Sequence, residues 1–451
     1  MIFTKSKNFK TEYCCTPVRI GEILDIEGAD LLGKTLVNGF TILVRKDQVR
    51  EGDLMFYAPN ESQLNLRFLS LNNMFEEKTL NSNPEIKGYF NKYGRVRIIK
   101  LKGCYSMGFL FSLKDLQNIY PYIKEEDITI GEDFDTICGE LFIKAYVPTI
   151  KTKNYNNSPI RKTKKFNCII PEYFSFHYDT FQLNREIQRI NPNDIISISV
   201  KLHGSSIILS NSLVNVPIFN NRFYIKILPY LPKFLQFTKQ EHRVIYSSRT
   251  VIKNSDLNSN VTSGYYNTDI WKEYYDLLKD KIPKDWSIYG EIIGYVPNSS
   301  TYIQKEYDYK CSRGTNKLMI YRINSKGYEW NVNEVLEWTL KLIKENPELK
   351  EKIHPIDLLY NGTLKDLYPD LDINNHWHEN VLERLKTESK FGMEKEEPLC
   401  KNRVYREGIV LRIDNDPVKE AFKLKCRRFL AKEALEIDKG NIDIEMQQSY
   451  E

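Results

Sequence analysis

From residue 195 to 426 the chain keeps returning to one pattern, a short β-branched and aromatic run with a charged residue inside it. IISISVKLHGSSIILS, YIKILPY, HRVIYSSRTVI, WSIYGEIIGYV, KLMIYRI, EGIVLRI and EAFKLKC all read as strands. Charge within such runs is costly to bury unless something compensates it. Lys423 and Lys425 make the point best. They lie two apart on a strand, so they share one face while Phe422 and Leu424 take the other. A paired cationic face there calls for an anionic neighbour or ligand.

The rest of the chain frames this region. Residues 12–148 read as short strands separated by Gly and Asn/Asp turns, among them VRIGEILDI, GKTLVNGFTILVRK, DLMFYAP, RVRIIKLKG and SMGFLFSL. That spacing predicts a small closed β-barrel of the oligonucleotide-binding (OB) kind over 1–148. Residues 149–166 are rich in Asn, Lys and Pro and predict a basic linker or arm. DIWKEYYDLLKDKI has helical spacing ahead of Pro283, as do VNEVLEWTLKLIKEN and NHWHENVLERLKTESK within 331–400. The expected fold class is α+β, with an acidic helical insertion at 331–400 and a short tail at 431–451.

Net charge divides along the same boundaries. The total of +5 comprises −1 over 1–150, +6 over 151–170, −6 over 331–400 and +6 over the remainder. There is no apolar run long enough to span a bilayer and no secretory h-region at the N-terminus, so no membrane partner is expected. Eight scattered Cys form no Cys-x-x-Cys pair, which predicts reduced thiols in a cytoplasmic setting. The Asn-, Lys- and Ile-rich composition points to an AT-rich genome, and for a virus-encoded chain the cytoplasm would be the host's.

Chemistry concentrates in Lys201-Leu202-His203-Gly204-Ser205-Ser206, set between two apolar strands. A lysine amine attacks only when neutral, and burial beside other cations lowers its pKa from ~10.4. Gly204 allows close backbone approach, and Ser205 offers a hydroxyl and an amide. Alone, Lys-x-x-Gly is a common turn. Arg249, Glu291, Glu407 and the Lys423/Lys425 pair follow it in order, each again unremarkable alone.

Taken together, the segments resemble the signature of the covalent nucleotidyltransferases, the polynucleotide ligases and messenger-RNA capping enzymes. The match runs through Lys-x-x-Gly at 201–204, Arg249, Tyr-Gly-Glu at 289–291, KLMIYRI at 317–323, Glu-Gly at 407–408 and Lys-x-Lys at 423–425. DNA ligases and capping enzymes place an OB domain after the last motif, whereas here the candidate barrel lies before the first. That layout resembles the Deinococcus-type ATP-dependent RNA ligases (RNA ligase family 5). RVRIIKLKGCYSMGFLFSL at 95–113 is similar to a segment of that family's N-terminal domain.

The resemblance implies an OB-like domain followed by an ATP-grasp-like nucleotidyltransferase domain over 167–430. It implies ATP and Mg²⁺ (or Mn²⁺) as cofactors and a monomer acting on RNA with 3′-hydroxyl and 5′-phosphate ends, at nicks in RNA or RNA/DNA duplexes. Lys201 would form a lysyl–AMP, with Lys423 and Lys425 supplying charge at the phosphates. Gly204, Ser205, Arg249, Glu291, Tyr321 and Glu407 would contact the nucleotide, and Glu291 and Glu407 would hold the metal. Arg95, Arg97, Lys162, Lys164 and Lys165 are the expected RNA contacts. Three positions depart from the family pattern: His203 and Arg322 stand where acids are common, and Val200 where a polar residue reads adenine. Two alternatives remain open, a capping-type guanylyltransferase and a non-catalytic OB-fold RNA-binding protein.

Overall fold

The computed structural model describes residues 2–148, 166–177, 180–219, 221–254, 257, 266, 268–373 and 377–439. The chain divides into two compact units, one of residues 1–150 with 430–441, the other of 151–429 with 442–451. Both are mixed α and β, and most strand pairs are antiparallel.

In the first unit, Thr16–Arg19, Leu54–Pro59 and Gly108–Ser112 form one sheet, and Leu24–Ile26, Ala29–Val37 and Phe40–Arg45 another. The remaining strands, two or three residues each, pair in three further small sheets. Among the described residues these five sheets do not close into the expected barrel. Phe56, Phe68, Phe90, Phe111, Phe134 and Phe142 form one core cluster, and Val37, Phe40, Ile42, Val44, Met55 and Tyr57 belong to a second. Among the described residues no strand ladder joins one of these sheets to another, which closure of a barrel requires.

The expected RNA contact at Arg95 is also corrected here. Residues 96–98 are not in a strand, and Arg95 is fully buried. Its guanidinium is 2.7 Å from Glu61 Oε1 and 2.7 Å from Asp438 Oδ1. Both forks of the cation are engaged within the protein, leaving none for a phosphate. Arg97 is part-exposed, lies 3.9 Å from Glu76 and donates to the Tyr89 carbonyl at 2.9 Å. Lys162, Lys164, Lys165 and most of the basic linker lie outside the described residues.

The second unit is built on two antiparallel sheets. Its main strands are β1 (Ile195–Lys201), β2 (Ser205–Pro217), β3 (Thr238–Ser247), β4 (Trp286–Gly294), β5 (Asn316–Ser325), β6 (Leu358–Thr363), β7 (Gly408–Ile413) and β8 (Ala421–Lys425). One sheet runs β8-β7-β1-β6, with Phe181–Gln182 added in parallel outside β8. The other runs β3-β2-β4-β5, extended by Tyr328–Glu329. Helix α1 (Ile270–Leu278) starts at Asp269, whose carboxylate accepts from the Trp271 and Lys272 amides. It packs Ile270, Trp271, Tyr274 and Leu278 on the β2-β4-β5 sheet.

Two sequence expectations change here. YIKILPY is helical: Arg222–Ile227 is α-helix, capped by the Asn221 side chain, and Leu228–Tyr230 is a 3-10 turn carrying Pro229. The segment 331–400 is not simply a helical insertion. Helix α2 (Val332–Glu345) buries Val335 and Leu342 in the same core as α1. After it, Ile353–Pro355 pairs in parallel with β5, and β6 pairs with β1, the strand of Lys201. The two strands that complete the sheets carry no acid, so the acidic surplus of the segment lies outside them.

Candidate functional site

Strand register explains how distant motifs meet. Across β1, β7 and β8 the paired residues form three rows on one face: Lys201–Gly408–Lys425, Ser199–Val410–Lys423 and Ser197–Arg412–Ala421. Successive rows are two residues apart, or about 7 Å along the strand. Eight of these nine residues, all but Gly408, line a cavity of about 700 Å³. Ser206, Arg249, Glu291, Tyr321 and Arg322 line it too. Ser206 and Glu291 are direct register partners on β2 and β4.

Glu407 organises the first row from below. Its side chain is 1% exposed. Oε1 lies 2.7 Å from Lys201 Nζ and 3.1 Å from Lys425 Nζ, and Oε2 lies 3.5 Å from His203 Nδ1. Burial opposes ionisation of this carboxyl, but the two ammonium groups and His203 outweigh it and hold it well below the usual carboxylate range. One buried anion therefore sets the positions of two cations. In this arrangement its carboxylate contacts both lysines of the row. His203, where an acid was the commoner residue, supplies a third positive or donor contact and packs its ring edge-on to Tyr307 and Phe429.

Gly204 and Ser205 do not face the cavity. A Cβ on Gly204 would meet the Ile292 carbonyl oxygen at 2.4 Å and Glu291 Cγ at 2.8 Å, so the glycine lets β2 begin close against β4. Ser205 is buried on the opposite face to Ser206, as strand alternation requires. Gly408 has the same role at β8, where a Cβ would lie 2.2 Å from the Leu424 carbonyl oxygen. Gly204→Ala is expected to push back the strand that carries Glu291. Overpacking of this kind costs about 1–3 kcal/mol, to be read as a lowered urea midpoint with an unchanged m-value.

Tyr321 and Arg322 reach the cavity together because the β4–β5 register shifts there. Tyr289 pairs with Arg322 but Gly290 pairs with Ile320, leaving Tyr321 as the extra residue. A bulge turns two successive side chains toward one side. Accordingly Ile320 and Ile323 both point into the α1 core while Tyr321 and Arg322 line the cavity. The Tyr321 hydroxyl is in hydrogen-bonding contact with His177 Nε2. Burial, then the Glu291 carboxylate, push its pKa up, so the phenol stays neutral.

Sequence reasoning missed the far end of the cavity. Arg322 pairs with Glu329 at 2.5 Å, Arg412 lies 2.6 Å from Asp414 and 3.9 Å from Glu329, and all four side chains are largely buried. Burial raises the Glu329 pKa, with Arg322 opposing it. The one signal for this network was Arg322 itself, which departs from the family pattern.

Among the described residues no group of three or more His, Cys, Asp or Glu could hold a metal alone. A carboxylate at Glu291 facing an open cavity instead suits a hard cation that keeps several waters and takes its other oxygens from a phosphate ligand.

No protein-family model matches the chain, and no curated protein does. Solved structures do match in fold. A Naegleria gruberi RNA ligase mutant with ATP and Mn aligns at TM-score 0.53 and 17% identity, over 93% of this chain and 98% of that one. A second mutant of that ligase, with AMP and Mn, aligns at TM-score 0.53 and 16% identity over 93% and 98%. The Naegleria gruberi RNA ligase with PPi aligns at TM-score 0.52 and 17% identity over 93% and 98%. Over nearly its whole length, the chain is similar in fold to an RNA ligase.

Proposed function

We propose that this chain is an ATP-dependent RNA ligase that joins 3′-hydroxyl and 5′-phosphate ends through a lysyl–AMP intermediate. The observation that carries this reading is the first row of the cavity, where one buried carboxylate holds Lys201 and Lys425 side by side. The solved structures similar in fold are of an RNA ligase with ATP, AMP or PPi, which supports the same class. A compact unit that precedes the first motif in the chain supports the Deinococcus-type branch, and in this reading that unit contacts RNA near the ends to be joined.

In this mechanism Lys201, which water reaches, gives up its proton to solvent and attacks the α-phosphorus of ATP. A phosphoramidate bond forms, the bond to pyrophosphate breaks, and pyrophosphate leaves. Lys425 keeps Glu407 compensated when Lys201 becomes neutral. Lys423 and Lys425 supply positive charge where the phosphate oxygens gain negative charge. Arg249 clamps a phosphate or the acceptor end. Tyr321 and Val410 line the same cavity from different sheets and in this reading would sandwich the base. Mg²⁺ or Mn²⁺, held through Glu291, would orient the triphosphate and stabilise the leaving group. The AMP then passes to the RNA 5′-phosphate, and attack by the 3′-hydroxyl releases it.

The test incubates the protein with ATP or GTP labelled at the α-phosphate, then with nicked duplexes carrying ribose or deoxyribose on each side of the nick. The expected result is a covalent adduct from ATP, chased into sealed product when the 3′-hydroxyl strand ends in ribose. Labelling by GTP alone would replace this reading with guanylyl transfer. RNA binding without any adduct would leave a non-catalytic binding protein.

A further inference from the structure

Strands β2 and β3 pair without interruption from Ile208↔Ser247 to Pro217↔Thr238, and the chain between them folds on itself. Strand β2 has 13 residues, so this tip lies about 40 Å from the Ser205 end of the strand. Phe219 packs edge-on to Tyr224 and Phe237, at centroid distances of 5.2 and 6.3 Å. The Phe237 amide donates to the Tyr224 hydroxyl at 2.8 Å. Ile225 and Leu228 are buried beneath. The tip is thus a folded cap with its own small core.

Its outer face is apolar. Phe223 is 69% exposed and Phe234 78%, and Ile218, Phe219, Tyr230, Leu235 and Phe237 are exposed as well. Soluble chains rarely leave so many large apolar side chains uncovered within twenty residues. The sequence around them is one-sided in charge: Arg222, Lys226, Lys233 and Lys239 occur in 217–240, and no Asp or Glu occurs from 195 to 240. Lys226 and Lys233 are exposed beside the aromatics.

We propose that this tip binds an anionic lipid surface, resting in the headgroup layer without crossing it. Apolar rings and aliphatic chains flanked by Lys, with acids excluded, are the composition of an interfacial anchor. The Lys side chains would stay at headgroup level while Phe223 and Phe234 enter the acyl boundary. A nucleic-acid platform fits less well. Bases stack on flat aromatic faces, whereas Phe219 has its neighbours packed edge-on and Ile218 and Leu235 add aliphatic bulk. Interfacial contact is compatible with the absence, among the described residues, of any helix long and apolar enough to cross a membrane.

The test floats the full chain with vesicles of phosphatidylcholine alone or mixed with phosphatidylserine. The protein should float with the mixed vesicles and less with phosphatidylcholine alone. Phe223→Asp with Phe234→Asp should reduce flotation by roughly tenfold or more, and Lys226→Glu with Lys233→Glu should remove the preference for phosphatidylserine. Both variants should keep the wild-type melting temperature and the wild-type rate of labelling by ATP, which separates this proposal from the reading of the catalytic site. Wild-type protein that stays unbound on both vesicles overturns it. Two further outcomes do the same in the absence of flotation: RNA affinity that falls in the Phe variant, or a dimer that the Phe variant dissociates.

Discussion

Lys201→Met is expected to leave no covalent nucleotide on the protein, and Lys201→Arg none either. Both should lower adenylylation by on the order of 10⁴-fold or more, the scale at which removing a nucleophile is felt. The pair separates chemistry from architecture. Lys201 Nζ is 2.7 Å from a carboxylate that is 1% exposed. An arginine can keep that ion pair, so the Arg variant should melt close to the wild type. A guanidinium is not deprotonated in proteins, so it still cannot attack. In the Met variant Glu407 retains Lys425 at 3.1 Å and loses one of its two cations. It should melt lower than the Arg variant while being equally inactive. Residual labelling in either variant, mapped by mass spectrometry to another lysine, would reassign the nucleophile.

Lys201, Glu291, Tyr321, Lys423 and Lys425 lie in strands that read as strands in the sequence, and Arg249 and Glu407 sit just beyond strand ends. Period two puts Lys423 and Lys425 on one face, and the fold places both on the cavity wall beside Lys201. Arg249, Glu291 and Tyr321, widely separated in the chain, line the same cavity. What alternation cannot reveal is where it breaks. The shift opposite Tyr289 and Gly290 brings Arg322 to the face of Tyr321, and no residue type announces it. Burial of charge was also hidden. Arg95 looked like a surface cation, but its partners are 34 and 343 residues away. Glu407 likewise gave no sign in the sequence that its carboxylate would be buried against Lys201 and Lys425. The segment 331–400 read as helical because its two amphipathic helices carry the strong periodicity. Its strand beside β1 holds polar Asn361 and Thr363 and has no comparable signal.

Glu407→Gln should be more damaging than its size suggests. The amide is nearly isosteric, so packing changes little, but Lys201, Lys425 and His203 lose the single anion among them. Breaking a buried ion pair from one side costs about 3–5 kcal/mol. The Lys201 and Lys425 side chains are 18% and 25% exposed, so water reaches them and the cost should fall toward about 2–3 kcal/mol. Adenylylation should drop by about 10²–10³-fold, because two mutually repelling ammonium groups no longer hold the geometry of attack. The acid limb gives an independent check. Glu407 is held well below the usual carboxyl range in the folded protein, so its contribution is complete above the unfolded value of about 4.3. It is lost as pH falls from there through the depressed folded value. The gap between the urea midpoints of wild type and Glu407→Gln, measured from pH 7 down to pH 3, should therefore hold steady to about pH 4 and narrow below it. Curves that stay parallel over that range would mean that Glu407 is not the ionised partner of the two lysines.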